Sequence, residues 1–223
     1  MPLKRNYCTN ILGNIFSVNG SLTVNMEDFD TPDIPVPLDD EHESVDMGNG
    51  LKWATCNVGA ENPWDYGDFF AWGETATKAN YCLDTYLWSN QTSFTKYTTF
   101  GTTLESADDA ATANWGGAWR TPTVAEWAWL LENSNSEWTD NYEGKGVSGR
   151  IVTSTVNGNQ IFLPIAGYWD SDIHTGKKFG LYWSSTLDDF SLTDAEYVLV
   201  SGGNINIDHA CRFFGQSVRP VTD

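Results

Sequence analysis

The chain has 223 residues, 40% hydrophobic and 14% aromatic, with 30 acidic against 12 basic side chains and a net charge of −18. That apolar content suffices for one good-sized packed domain plus a smaller appendage, and it excludes a globally disordered chain. So acidic a surface also excludes nucleic acid and anionic membranes as partners, because both rely on Lys and Arg. No run approaches the ~18 apolar residues of a membrane-spanning helix.

Residues 1–29 read as a hairpin segment: Ile15, Val18, Leu22 and Val24 flank Asn19-Gly20, a dipeptide suited to a tight hairpin turn. Met1-Pro2-Leu3-Lys4-Arg5-Asn6 leads into no apolar stretch, so no signal peptide is expected here and export would require a leader already removed. Residues 30–44 carry Pro32, Pro35 and Pro37 among acids and read as an extended linker. The main domain is expected over 45–223.

Within it, Leu51 to Cys56 reads as a strand and Asp68 to Gly73 as another strand or a buried loop. Lys78 to Thr103 has no helical period and is expected to wrap the surface, pinned by Tyr81, Tyr86, Trp88, Phe94 and Tyr97. One helix is expected from a Ser106 cap through Ala113. A second follows Thr123-Val124-Ala125-Glu126, a capping box, with Trp127, Leu130 and Leu131 forming its apolar stripe. After residue 145 the chain reads as short antiparallel strands, with a hairpin across Asn157-Gly158. Two helices followed by hairpins predict an α+β domain. Trp115, Trp119, Trp127, Trp183 and Arg120 are expected to pack in its core, and Arg219 to be a buried structural pair.

Motifs of catalysis and metal binding are missing. The chain has no G-x-S-x-G, H-E-x-x-H or phosphate loop. His42, His174 and His209 lie far apart, with no Cys or carboxylate at ligand spacing, and His42 falls in the linker. Acidic pairs could offer oxygen ligands to calcium, but no twelve-residue calcium loop is present, so no cofactor is expected. Cys8, Cys56, Cys82 and Cys211 form neither a C-x-x-C nor a dense framework and read as separate thiols.

Several motifs occur in a fixed order. They are Val45-Asp46-Met47-Gly48, Trp53 to Ala60, Tyr66 to Glu74, Asn114 to Thr123, Phe162 to Tyr168, Tyr182-Trp183-Ser184-Ser185 and Ser217 to Val221. Together they resemble the Fibrobacter succinogenes major paralogous domain of Bacteroidetes surface proteins, which implies a C-type-lectin-like fold over 45–223. Residues Leu3 to Asn14 are similar to the closing strands of a fimbrillin-like pilin. That likeness implies the tail of a longer, pilus-associated protein at a cell surface or outer membrane, with other pilus subunits as partners. The lectin tripeptides Glu-Pro-Asn, Gln-Pro-Asp and Trp-Asn-Asp are absent, which disfavours calcium-dependent sugar binding. Formylglycine-generating enzymes share this fold but use two C-terminal cysteines, and Cys211 stands alone there.

The C-terminal Arg212 to Val221 also resembles the fixed terminus of lectin-fold proteins diversified by retroelements. Their adenine-directed mutagenesis turns Asn codons into Asp, His, Ala, Val, Phe and a few others. The resemblance therefore implies a variable, ligand-binding face made of Asp172, His174, Phe179, Asp188, Asp189, Phe190, Val198, Val200, Asp208, His209, Ala210, Phe213 and Phe214. Asp208 to Phe214 is expected to vary without breaking the fold. The expected function is an adhesin-like module for a protein or glycan ligand, not an enzyme. The alternative is a pilus or surface subunit with no ligand of its own, and the third reading is a formylglycine-generating-type catalyst.

Overall fold

Trp53 marks where the two ends of the domain meet. Strand β1 (Ser44–Asp46) pairs antiparallel with β2 (Lys52–Ala54), and β2 pairs on its other edge with β11 (Val221–Thr222), Val221 facing Trp53. The computed structural model describes His42–Asp223, which form one unit. The hairpin expected at 1–29 and all but the last three residues of the linker expected at 30–44 lie outside the described residues. Those three belong to the domain. Ser44 opens β1, and the His42 ring stacks on Trp115 with centroids 3.6 Å apart, so His42 is a packing residue rather than a linker residue.

The architecture is mixed α+β, with two helices and several small antiparallel sheets. Helix α1 (Ala110–Trp115) starts three residues later than expected. Ser106–Asp108 is a single 3-10 turn, and the cap is Asp109, whose carboxylate accepts from the amides of Ala111 and Thr112. Asp109 outcompetes Ser106 because the same buried carboxylate also accepts from Thr121 N and Thr121 Oγ1, at 2.9 and 3.0 Å. Helix α2 (Val124–Glu132) forms as its capping box predicts, Thr123 and Glu126 bonding each other's amides. Arg120 adds two bonds to the Glu126 carboxylate, at 2.8 and 2.6 Å. Burial pushes the Glu126 carboxyl up, but those bonds outweigh it and hold the group below its ordinary value.

Strands β3 (Ser134–Thr139), β4 (Gly149–Ser154) and β5 (Gln160–Pro164) form a sheet in that order, β4 and β5 joined through Asn157-Gly158 with Gly158 at φ 79°. Strand β3 has too polar a sequence to be read as a strand; as an edge strand it buries little. A short hairpin, β6 (Trp169–Asp170) and β7 (Ile173–His174), precedes the longest strands, β8 (Gly180–Leu187), β9 (Asp194–Val200) and β10 (Ile205–Cys211). These three form a sheet with β9 central and β10 at one edge.

That sheet divides the core. On one face Trp53, Trp127, Leu130, Val152, Leu163, Tyr182, Val198 and Val200 pack with α2, β4 and β5. Across the other face lie Phe70, Trp72, Tyr97, Ala111, Leu181, Trp183, Leu187 and Tyr197. Each large side chain so buried contributes roughly 1.5–3 kcal/mol. The segment 68–73 is a buried loop, bridged to the C-terminal segment at Phe70 and Gln216. The 78–103 segment is pinned as expected, with Tyr81, Tyr86 and Tyr97 buried and Trp88 and Phe94 half-buried. Trp119, Trp127 and Trp183 are core residues as expected; Trp115 and Arg120 are only partly buried.

Arg219 is buried but has no carboxylate partner among the described residues. Its guanidinium donates instead to Asn57 Oδ1 and to the carbonyls of Ala54, Thr55 and Phe162, at 2.8 to 3.0 Å. It ties β2 and β5 to the chain's end, and burial pulls its pKa down.

Candidate functional site

Alternation along a strand sends neighbouring side chains to opposite faces of the sheet. In β9 this sends Ala195, Tyr197 and Leu199 to one side and Val198 and Val200 to the other. On the Tyr197 side the sheet is incompletely covered, leaving a groove of about 470 Å³. Its floor is Leu181 from β8, Tyr197 and Leu199 from β9, and Ala210 and Cys211 from β10, with Asp194 at the start of β9 and His209 beside Ala210. Tyr168, Phe179 and Phe214 wall it, the rings of Tyr168 and Phe214 being 5.6 Å apart.

Four of the residues expected on a binding face therefore come together here: Phe179, His209, Ala210 and Phe214. Asp208 is exposed beside them, directly across from Tyr197 in the strand register. Phe213 packs edge-on against Phe214 and lines a separate apolar hollow of about 200 Å³ with Leu83, Phe94 and Thr193.

Other expected face residues are elsewhere. Val198 and Val200 are both 0% exposed and belong to the core against α2, because the period of two turns them inward. Asp188 is buried too. Its carboxylate accepts from the amides of Phe190 and Ser191 and closes the β8–β9 turn, which makes it a turn residue rather than a display residue. The tip of that turn carries Asp189 and Phe190, the latter 91% exposed, but neither lines the groove. His174 is partly buried in the β6–β7 hairpin. Its Nε2 lies 3.0 Å from the Ala166 carbonyl and its ring packs on Phe69 and Trp169, so it holds the hairpin rather than facing a ligand. Asp172 is exposed on the same hairpin, outside the groove.

Arg212 corrects a second expectation, that Asp208 to Phe214 varies freely. It is 0% exposed, with Nε bonded to Tyr86 Oη, Nη1 to the carbonyls of Tyr97 and Leu192, Nη2 to that of Lys96, and Phe94 at 4.3 Å. This anchor sits immediately before Phe213 and Phe214 and sets where they emerge. Gly215 follows because a Cβ there would come within 2.8 Å of the Tyr81 ring.

The electrostatics of the groove are one-sided. Burial pushes the Tyr197 phenol up to about 12, with the Asp208 carboxylate and then Tyr168 adding to it. Burial likewise pushes the Cys211 thiol up to about 11, with Asp194 and then Asp170 adding. Sequence reading missed Tyr168, Leu181, Asp194, Tyr197, Leu199 and Cys211. The signal was present: Ala195, Tyr197 and Leu199 alternate with Val198 and Val200, but which set faced outward depended on what α2 covers. Cys56, Cys82 and Cys211 are free thiols. Among the described residues no three His, Cys, Asp or Glu side chains group as a metal site, and no helix is long and apolar enough to cross a membrane.

No protein-family model, no curated protein and no solved structure matches the chain.

Proposed function

We propose that this chain is an adhesin-like binding module of C-type-lectin-like fold that holds its ligand in the groove on the β8–β9–β10 sheet. One observation carries the reading. Phe179, His209, Ala210 and Phe214, singled out from the sequence as a binding face, line a single groove on a rigid, doubly packed sheet. Its volume of about 470 Å³ falls within the ~300–1,000 Å³ of pockets that hold small ligands or a few side chains. The buried tryptophans support the same division of labour. The indoles of Trp72 and Trp127 donate to the Ser184 and Trp183 carbonyls of β8 and that of Trp183 donates to Phe70 O, so the floor is fixed while the lining residues of β10 are held only on one edge.

The resemblance to the Fibrobacter major paralogous domain and to fimbrillin-like tails is what supports a cell-surface or pilus setting for the module. The ligand class is protein or glycan. If a retroelement diversifies the chain, the positions free to vary are Asp208, His209, Ala210, Phe213 and Phe214, while Arg212, Val198 and Val200 stay fixed.

The test is a panel of surface glycans and proteins probed with the full chain and with Ala210→Trp, which fills the groove from β10. The proposal expects at least one ligand retained by the parent and lost by the variant at unchanged melting temperature. Equal retention of every ligand by both proteins would show that binding, if any, lies elsewhere.

A further inference from the structure

The groove carries acidic charge that no Lys or Arg among the described residues is paired with. Asp194 lines it, Asp208 faces Tyr197 across the β9–β10 register, and Asp170 is close enough to push up the Cys211 thiol. None of the three carboxylates is ion-paired with Lys or Arg among the described residues. Asp194 bonds the hydroxyls of Ser191 and Thr193 and meets the Cys211 thiol, and Asp208 accepts from the His209 amide at 2.9 Å with the His209 ring 4.0 Å away. Most basic side chains among the described residues are spent elsewhere. Arg150, Arg212 and Arg219 are buried, Lys78, Lys96 and Arg120 pair with acids, and Lys145 and Lys177 lie over Trp64 and Tyr66. Lys178, next to Phe179, is exposed and is the cation nearest in sequence to the groove wall.

A second feature is independent of the charge. Tyr197 is 8% exposed and lines the groove, and its hydroxyl, which water can reach, has no hydrogen-bond partner among the described residues. Around it the aromatic faces of Tyr168, Phe179 and Phe214 surround an apolar floor, an arrangement that receives a cation on an apolar stem.

Resting on the binding reading above, we propose that the groove takes an extended segment of a basic partner protein, inserting an Arg or Lys side chain over Tyr197 with its charge between Asp194 and Asp208. The stem of such a residue covers Leu181 and Leu199, and its head can bond the Tyr197 hydroxyl through its own N–H. A protein segment is favoured over a small free amine because β10 is the edge of its sheet among the described residues, so its outer backbone is open to an added strand. A second copy of this chain is disfavoured, since net charge −18 would set acid against acid across the contact.

The experiment is selection of a displayed random peptide library on the full chain, counter-selected on the Ala210→Trp variant, with selected peptides then resynthesised with each Arg replaced by citrulline. The expected result is enrichment of Arg or Lys next to an apolar residue, binding that weakens at high salt, and loss of about tenfold or more in affinity on citrulline replacement or in Asp194→Asn and Asp208→Asn. Because Asp194→Asn also touches the β8–β9 turn, Asp208→Asn and Tyr197→Phe serve as the variants that leave the turn intact. Groove-dependent peptides lacking basic residues would overturn the cationic assignment while leaving the binding site standing. Failure to enrich any peptide that distinguishes parent from Ala210→Trp would overturn both.

Discussion

Replacing Arg212 by Met keeps an unbranched stem in the core and deletes only the guanidinium. Three carbonyls, of Lys96, Tyr97 and Leu192, then lose the one donor each has among the described residues. Each buried carbonyl left unpaired costs about 1–3 kcal/mol, and the lost contact over Phe94 adds about 1–2. Relief of the cation's own desolvation offsets several kcal/mol of this. With middle values the losses come to about 7 kcal/mol and the relief to about 3, for a net destabilisation of about 4 kcal/mol. In a domain of this size each kcal/mol lowers Tm by about 2–4 °C, so the melt should fall by about 8–16 °C. Thermal unfolding followed by near-ultraviolet circular dichroism measures it. Arg212→Lys retains the charge but not the fork that reaches both sides, and should lie between the two. A Met variant melting within about 2 °C of the parent would refute the argument that the guanidinium, rather than its stem, anchors the segment before Phe213.

Other substitutions probe the frame and the display surface separately. Asp109→Ala removes the α1 cap and strands the buried Thr121 amide and hydroxyl, so chemical denaturation should show a loss of about 3 kcal/mol or more. Phe190→Ala, at the turn tip, should change stability by no more than about 0.5 kcal/mol, whereas Val200→Asp buries an unpaired carboxylate and should prevent accumulation of folded protein. The Glu126 carboxyl, held below its ordinary 4.5, contributes stability that is complete above that value and lost as pH falls through the lower folded value. Glu126→Gln should therefore flatten the acid limb of a stability–pH curve and leave its shape near neutrality unchanged. With its pKa raised from 9.0 to about 11, Cys211 holds about a hundredfold less thiolate than an ordinary cysteine at neutral pH. Alkylation followed by mass spectrometry should find it reacting far more slowly in the folded than in the unfolded chain.

Much of the fold was legible where local chemistry is decisive. The Thr123–Glu126 box and the Asn157-Gly158 turn both formed where read, since each needs only residues within a few positions. Strand β3 was not legible, because Ser134 to Thr139 carries almost no apolar pattern and its pairing with β4 is decided by tertiary contact. The site divided along the same line. Phe179, His209, Ala210 and Phe214 were singled out from the sequence and line the groove, but Val198 and Val200 were assigned to the wrong face. A one-residue choice of register inverts every side chain of a strand, and only the position of α2 resolves it. Arg212 was read as opening the fixed terminus, yet the whole span from Asp208 to Phe214 was expected to vary, because a buried arginine held by carbonyls leaves no acidic partner in the sequence to announce its role.

The most direct test of the groove as the binding site is chemical-shift mapping of the full chain titrated with a ligand that Ala210→Trp fails to retain. The account predicts that the largest shifts fall on Phe179, Leu181, Tyr197, Leu199, Ala210 and Phe214. Shifts confined to other surfaces, such as the β6–β7 hairpin or the Phe213 hollow, with these six unmoved, would contradict it.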